Sequence, residues 1–438
     1  MKHIDRLCVL GIDDKELQKA IRGSYQPGFM QIRLAQPYNG DLNSLDIHAL
    51  GTLLHEYVHF LQNISTPWGL FTSMVQYNMM IDAYKFISGS TEEIELPLRI
   101  SYGQVLENRM SIVRIGTGDI PLRMGLRSNV IDRKKTIILH RNLKAVGKKN
   151  VPVITLQVGL ADGSVINLNL GANIINESMA ALYQMQIDPS ATHENNDLPY
   201  NLIKILSEQH FQNISSDNIK LITICYISLF SLYPAQTLID QLSFANDNTH
   251  LSAKDLFDKF VNEATIKKND DEDFSVVEFF DIIIDRFKSI LTKSLQVDLD
   301  YIDETLERVR LSNGIVPILT ILYDGQLTRD KIANLLDFLG IPYIYTDEGD
   351  YHYPKSVKDP NEVSNDMIAL IGNYSLFYYL VYPNEYYCCP LRYICLKENK
   401  EKDECFTAPW NGFDCAMTIM GDLIGLKDKK IKWNYDIP

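Results

Sequence analysis

The spacing of polar residues predicts one unusual helix early in the chain. From Ser44 to Gln62 the sequence reads SLDIHALGTLLHEYVHFLQ, without proline. His48, Thr52, His55, His59 and Gln62 recur at steps of four, three, four and three, and so fall along one helical face. Leu50, Leu53, Leu54, Tyr57, Val58, Phe60 and Leu61 cover most of the remaining surface. The pattern is that of a largely buried helix with a single polar seam. Ser44 is its expected N-cap, and Asp46 falls in the first turn, where a carboxylate suits the helix dipole.

The same periodicities lay out the rest of the chain. Residues 29–35 alternate as a strand, and Pro37-Tyr38-Asn39-Gly40 supplies a turn. Residues 68–87 predict a helix with Leu70, Met74, Tyr77, Met80 and Ile81 on its apolar face. Residues 99–113 and 135–143 fit either strands or short helices. Residues 151–158 and 165–170, joined through Ala161-Asp162-Gly163, predict a β-hairpin. The hairpin leads into a helical stretch, GANIINESMAALYQ, from Gly171 to Gln184. Beyond residue 195 helical spacing dominates, over 202–211, 218–242, 252–264, 275–295, 304–322 and 328–339. Tyr343-Ile344-Tyr345 and Tyr351-His352-Tyr353 flank Asp347-Glu348-Gly349-Asp350 as a small hairpin whose tyrosines and His352 are within reach of a cleft.

The polar seam carries chemistry. His55-Glu56-Tyr57-Val58-His59 is an HExxH sequence. Two histidines four apart lie one turn apart on the same face, so both imidazoles reach a single tetrahedral metal. The glutamate after the first histidine then sits beside the open metal position, where it takes a proton from water. Buried imidazoles need partners, and a metal ion is one.

A strand, a turn and an HExxH helix resemble the zincin metallopeptidases over roughly residues 25–190. The resemblance implies a zinc ion, a third protein ligand and an edge strand beside the cleft that holds extended substrate. The metzincin branch continues HExxHxxGxxH. Here Gln62 and Ser65 occupy the glycine and last histidine positions, which excludes that branch. The gluzincin branch takes a glutamate from a later helix, and Glu177 is the best candidate. It shares a helical face with Ile174, Ala181 and Gln184, and the small Ala181 favours close approach to the HExxH helix. Asp82, Glu93, His140 and His193 are the alternatives for the third ligand. Thermolysin-like enzymes place an aspartate four residues after the ligand to orient a histidine. That position is Ala181 here, so another group must orient the imidazoles. Tyr183, His193 and His352 are candidate donors to the oxyanion.

Composition changes this picture little. The 438 residues suit two or three subdomains, read as 1–195 with an insertion at about 90–170, 196–375 and 376–438. The expected fold is α+β: a zincin-like domain with a small sheet, followed by a mostly helical C-terminal half. The net charge of −14 argues against general nucleic-acid binding. No apolar run is long enough to span a bilayer, and the N-terminus lacks an apolar signal core, so the expected location is the cytoplasm, without membrane association. The abundance of Asn, Ile, Lys and Tyr points to a bacterial, AT-rich genome. Asp270-Asp271-Glu272-Asp273 lacks the spaced ligands of a calcium loop and reads as a solvated acidic helix start. Cys388, Cys395, Cys405 and Cys415 offer a second, structural zinc site in the tail, although neither they nor Cys389 form tight CxxC pairs; ordinary buried thiols are the other reading.

The functional expectation is a zinc endopeptidase of restricted specificity, with His55, His59 and Glu177 as ligands and Glu56 as general base. Its partners are a protein or peptide substrate and a regulatory protein. The alternatives are a non-catalytic zinc-containing binding or regulatory module, and a toxin or defence effector protease activated by a partner.

Overall fold

The polar-seam helix forms, displaced by three residues from its expected span. Helix α1 runs Ile47–Ser65. Its N-cap is Asp46, whose carboxylate accepts from the Ala49 amide at 2.7 Å. Ser44 instead closes a preceding 3-10 turn, Leu42–Ser44, with its hydroxyl on Asn39 and on the Asp41 carbonyl. Asp46→Ala is expected to cost about 1 kcal/mol of stability, read from the midpoint of chemical denaturation. An unchanged midpoint would place the start of the helix elsewhere. Thr66 ends α1 and caps α2, Pro67–Gly89, accepting from the Gly69 amide at 3.1 Å. The corner between the two helices requires Gly69: a Cβ there would lie 2.4 Å from the carbonyl oxygens of Gln62 and Asn63.

The structure is a computed structural model, describing residues 23–26, 30–90, 93–121, 124–193, 196–267, 273–295, 300–311, 317–347, 351–352, 365–381, 410 and 415–433. Among them the fold is α+β. The strands are β1 Gly23–Gln26, β2 Gln31–Leu34, β3 Glu93–Leu96, β4 Ile138–Val146, β5 Lys149–Gly159, β6 Val165–Leu170, β7 Thr265–Lys267, β8 Asp273–Ser275, β9 Tyr343–Thr346, β10 Tyr351–His352 and β11 Lys430–Trp433. Further helices are α3 Gln104–Thr117, α4 Ala172–Ile187, α5 Asp197–Tyr200, α6 Leu202–His210, α7 Asn218–Ser228, α8 Pro234–Asp247, α9 Ala253–Glu263, α10 Val276–Leu295, α11 Asp300–Leu311, α12 Pro317–Tyr323, α13 Arg329–Leu339, α14 Asn365–Val381 and α15 Ala416–Leu423.

A four-stranded sheet has the order β1-β2-β9-β10, with β2 and β9 parallel and the outer pairs antiparallel. The small hairpin expected around residues 343–353 is therefore β9–β10, and it extends the sheet begun by β2. The strand expected at 29–35 is interior to this sheet: among the described residues β1 forms the edge, and both β1 and β2 pack on α1. Strands β4, β5 and β6 form an antiparallel meander. The hairpin read from the sequence is its β5–β6 half, and the ambiguous stretch at 135–143 enters β4 at Ile138. Of the other ambiguous stretch, 99–113, residues 104–113 belong to helix α3.

The helical half contains a break that the spacing concealed. The stretch 218–242 is two helices, α7 and α8, because Pro234 starts a new helix at N1. Of the stretch 304–322, residues 304–311 lie in α11 and 317–322 in α12, and 312–316 are outside the described residues. Of the acidic run at 270–273, only Asp273 lies within the described residues, at the start of β8.

Buried tyrosines tie distant segments together. Tyr57 donates to the Gly340 carbonyl at 2.8 Å, Tyr183 to Ile318 at 2.8 Å, and Tyr226 to Ser65 at 2.7 Å. Pairing of β2 with β9 and of β3 with β11 likewise joins the first part of the chain to its C-terminal half. One hydrophobic core runs from Met30 to Leu426. No described helix is long and apolar enough to cross a membrane.

Candidate metal centre

Helix α1 presents His55 and His59 one turn apart, with ring centroids 4.9 Å from each other. Helix α4 crosses this face closely because Gly51 has no side chain. A Cβ at Gly51 would lie 3.2 Å from Asp188 Cβ and 3.3 Å from Gln184 Cγ. Ala181 is fully buried on α4. The approach brings Glu177 Oε2 to 3.4 Å from His55 Nε2 and 3.4 Å from His59 Nε2. The three donor atoms lie within 4.8 Å of one another. Donors bound at about 2.0–2.1 Å around a tetrahedral ion are separated by roughly 3.3–3.4 Å. The two imidazole-to-carboxylate distances thus match two edges of such a tetrahedron, and the trio fits a metal ion.

Orientation of His59 comes from its own helix. His59 Nδ1 lies 2.8 Å from Gln62 Oε1, while Gln62 Nε2 donates to the Asn176 carbonyl of α4 at 3.1 Å. The second bond fixes which way the amide points, so Nδ1 carries the proton and Nε2 is left to face Glu177. Gln62 thereby takes the orienting role that the sequence left without a residue. Gln62→Ala is expected to weaken metal binding about 10–100-fold while leaving the fold intact, measured by competition with a chromogenic chelator. Wild-type affinity in that variant would remove Gln62 from the site. His55 Nδ1 is buried with no hydrogen-bond partner among the described residues.

Charge is concentrated here. Burial alone would raise the pKa of Glu177, but His59 and His55 outweigh it and hold the carboxyl below its ordinary range. Burial likewise opposes a charged His59; Glu177, with Glu56 and Gln62, overrides it and pushes the imidazole up to about 9. These donors would hold a metal cation in place of that proton. The site opens toward Glu177, whose side chain keeps 23% of its exposure, against 9% for His55.

Glu56 lies on the neighbouring face, 6% exposed. Burial raises its pKa, and the adjacent His55 and His59 temper the rise. Strand β1 lies directly against it: a Cβ at Gly23 would stand 2.9 Å from Glu56 Oε1 and 2.8 Å from Thr52 Cγ2. Arg33, which also favours the charged form of Glu56, is clasped by Asp347 at 2.7 Å and 2.5 Å.

Tyr200 is the residue that sequence reasoning missed. It ends the short helix α5, with its ring 5.8 Å from His55 and stacked on His193 at 4.5 Å. Burial, then the charges of Glu177 and Glu56, raise its pKa, so the phenol stays a proton donor. No spacing links Tyr200 to HExxH, and only the fold brings them together. Of the oxyanion candidates named from the sequence, His193 lies here, its ring 6.4 Å from His55 and its Nε2 3.2 Å from Gln184 Oε1. Tyr183 is committed to Ile318, and His352 Nε2 lies 2.7 Å from the Tyr38 carbonyl.

The alternative third ligands lie elsewhere. Asp82 faces Lys85 on α2, Glu93 pairs with Lys430, and His140 is exposed on β4. His48, at the start of the polar seam, binds Asp188 at 2.8 Å and takes no part in the donor trio. Cys388, Cys389, Cys395 and Cys405 lie outside the described residues. Cys415 occupies the N-cap position of α15, with Sγ 3.3 Å from Thr418 Oγ1.

Comparison of the chain with family models, curated proteins and solved structures finds no match.

Proposed function

We propose that the protein is a zinc-dependent endopeptidase of the zincin type, closest in ligand set to the gluzincins. The observation that carries this reading is the meeting of two imidazole nitrogens on one carboxylate oxygen at 3.4 Å each, with Glu56 next in sequence to a ligand. His55, His59 and Glu177 would hold the ion, and two imidazoles with a carboxylate are a donor set that suits zinc. Zinc bound there supplies Lewis acidity toward a substrate carbonyl and lowers the pKa of water.

The chain's own residues do the rest. Glu56 accepts a proton from the attacking water at its carboxylate and returns it to the leaving nitrogen. Its burial favours holding that proton between the two transfers. Tyr200, whose ring lies 5.8 Å from that of His55, is the phenol assigned to donate to oxygen that gains negative charge. His193 stacks on the Tyr200 ring and restrains it. Strand β1, an edge of its sheet among the described residues, lies against Glu56, a position suited to an extended polypeptide.

The test is to incubate the zinc-loaded protein with unfolded polypeptides and to identify new N-termini by mass spectrometry. Cleavage that is lost with a chelator and restored by zinc supports the reading. Absence of cleavage across a diverse polypeptide pool contradicts it. Tyr200→Phe is expected to lower kcat about 10²–10³-fold with zinc content unchanged. Retention of full kcat would remove Tyr200 from the reaction.

A further inference from the structure

The β4–β5 hairpin carries a surface that the metal site does not use. We propose that the free edge of β4 binds an acidic, extended polypeptide segment by strand addition. Such binding is independent of hydrolysis and requires no metal.

Three observations meet on this strand. The first is an open edge. β4 is nine residues long and pairs with β5 alone, so one side of the strand is unpaired among the described residues. Val146 pairs with Lys149 across Gly147-Lys148, and Gly147 has φ 59°, as a two-residue hairpin turn with glycine first requires. The pair that closes such a turn is hydrogen-bonded, and the pattern alternates along the ladder. The amides of Val146, Lys144, Asn142, His140 and Ile138 therefore face β5. Those of Leu139, Arg141, Leu143 and Ala145 face the free edge. The pairing of Leu143 with Pro152 agrees, since proline has no N–H to give at a non-bonded position.

The second observation is exposure of both strand faces. From Ile138 to Ala145 every residue but Leu139 is exposed, including Ile138 at 47% and Leu143 at 71%. An incoming strand therefore gains apolar cross-strand contacts as well as main-chain hydrogen bonds.

The third is charge. The protein carries −14 overall, yet residues 138–159 contain Arg141, Lys144, Lys148 and Lys149 and no Asp or Glu. Arg141 is paired with Asp240 at 3.1 Å. Lys144, Lys148 and Lys149 have no carboxylate partner among the described residues. Lysines along an edge repel a second copy of the same basic strand, which suppresses self-pairing. The same lysines favour an acidic strand, and this complementarity selects the occupant.

The test uses the full-length protein and a fluorescent peptide about as long as β4, alternating glutamate with valine, followed by anisotropy. The expected result is saturable binding, with amide exchange slowed at Leu139, Arg141, Leu143 and Ala145. Lys144→Glu/Lys148→Glu/Lys149→Glu is expected to weaken binding more than about tenfold. Leu143→Pro removes one free-edge amide and leaves the charges in place, and it too should weaken binding about tenfold or more. An equally long lysine–valine peptide should not bind. Circular dichroism shows whether each variant is folded; should Leu143→Pro unfold, the exchange pattern of the wild type decides alone. Binding that a short DNA duplex or anionic vesicles abolish, with no amide protection on β4, would mean a general polyanion surface and overturn the proposal. So would absence of peptide binding.

Discussion

Glu177→Ala is expected to lose the metal. In the folded chain one carboxylate oxygen meets both imidazoles at 3.4 Å, and no other carboxylate among the described residues joins that group. Removing it leaves two donors on one helix, too few for a closed site of the zinc type. Loss of residues that merely orient ligands weakens metal binding about 10–100-fold. Loss of a ligand should exceed about a hundredfold. Competition with a chromogenic chelator measures the change, and elemental analysis of the purified variant gives the occupancy. Metal held at wild-type affinity would move the third ligand away from Glu177.

Glu56→Gln is expected to separate chemistry from metal binding. The substitution preserves shape, and Glu56 is not one of the three converging donors. Zinc content should stay at the wild-type level. Hydrolysis should fall about 10²–10⁴-fold, the range associated with a positioned acid–base group. The glutamine cannot take a proton from water or return one to the leaving nitrogen. Undiminished cleavage would end the assigned role. If the variant keeps both its zinc and its cellular function, the metal serves a non-catalytic binding module instead.

Much of the site was legible because helical geometry is local. The steps of four and three along α1 place His55, His59 and Gln62 on one face whatever the rest of the chain does. Glu177 was legible because an acidic residue within an apolar helix calls for a partner. Tyr200 was not, since its place beside His55 depends on how α5 follows α4 across a connection with no periodic signal. Gln62 was visible in the polar seam, but its role emerges only from its bond to Asn176 on the crossing helix.

The fold shows the same division. Long amphipathic helices such as α10 could be read to within a residue. The interruption between α7 and α8 was obscured by apolar positions that continue at helical spacing across it. Parallel pairing of β2 with β9, and of β3 with β11, joins segments hundreds of residues apart, and two-residue periodicity carries no information about which strand lies beside which. The edge character of β1 follows from that pairing and was inaccessible for the same reason.

X-ray absorption at the zinc edge of the full-length protein reads whether His55, His59 and Glu177 bind one zinc. The expected spectrum has nitrogen and oxygen donors at about 2.0–2.1 Å with the outer-shell scattering of two imidazoles, and this scattering diminishes in His59→Ala. A spectrum of sulfur donors alone at about 2.3 Å, without imidazole scattering, would place the zinc at the cysteines and not at His55, His59 and Glu177.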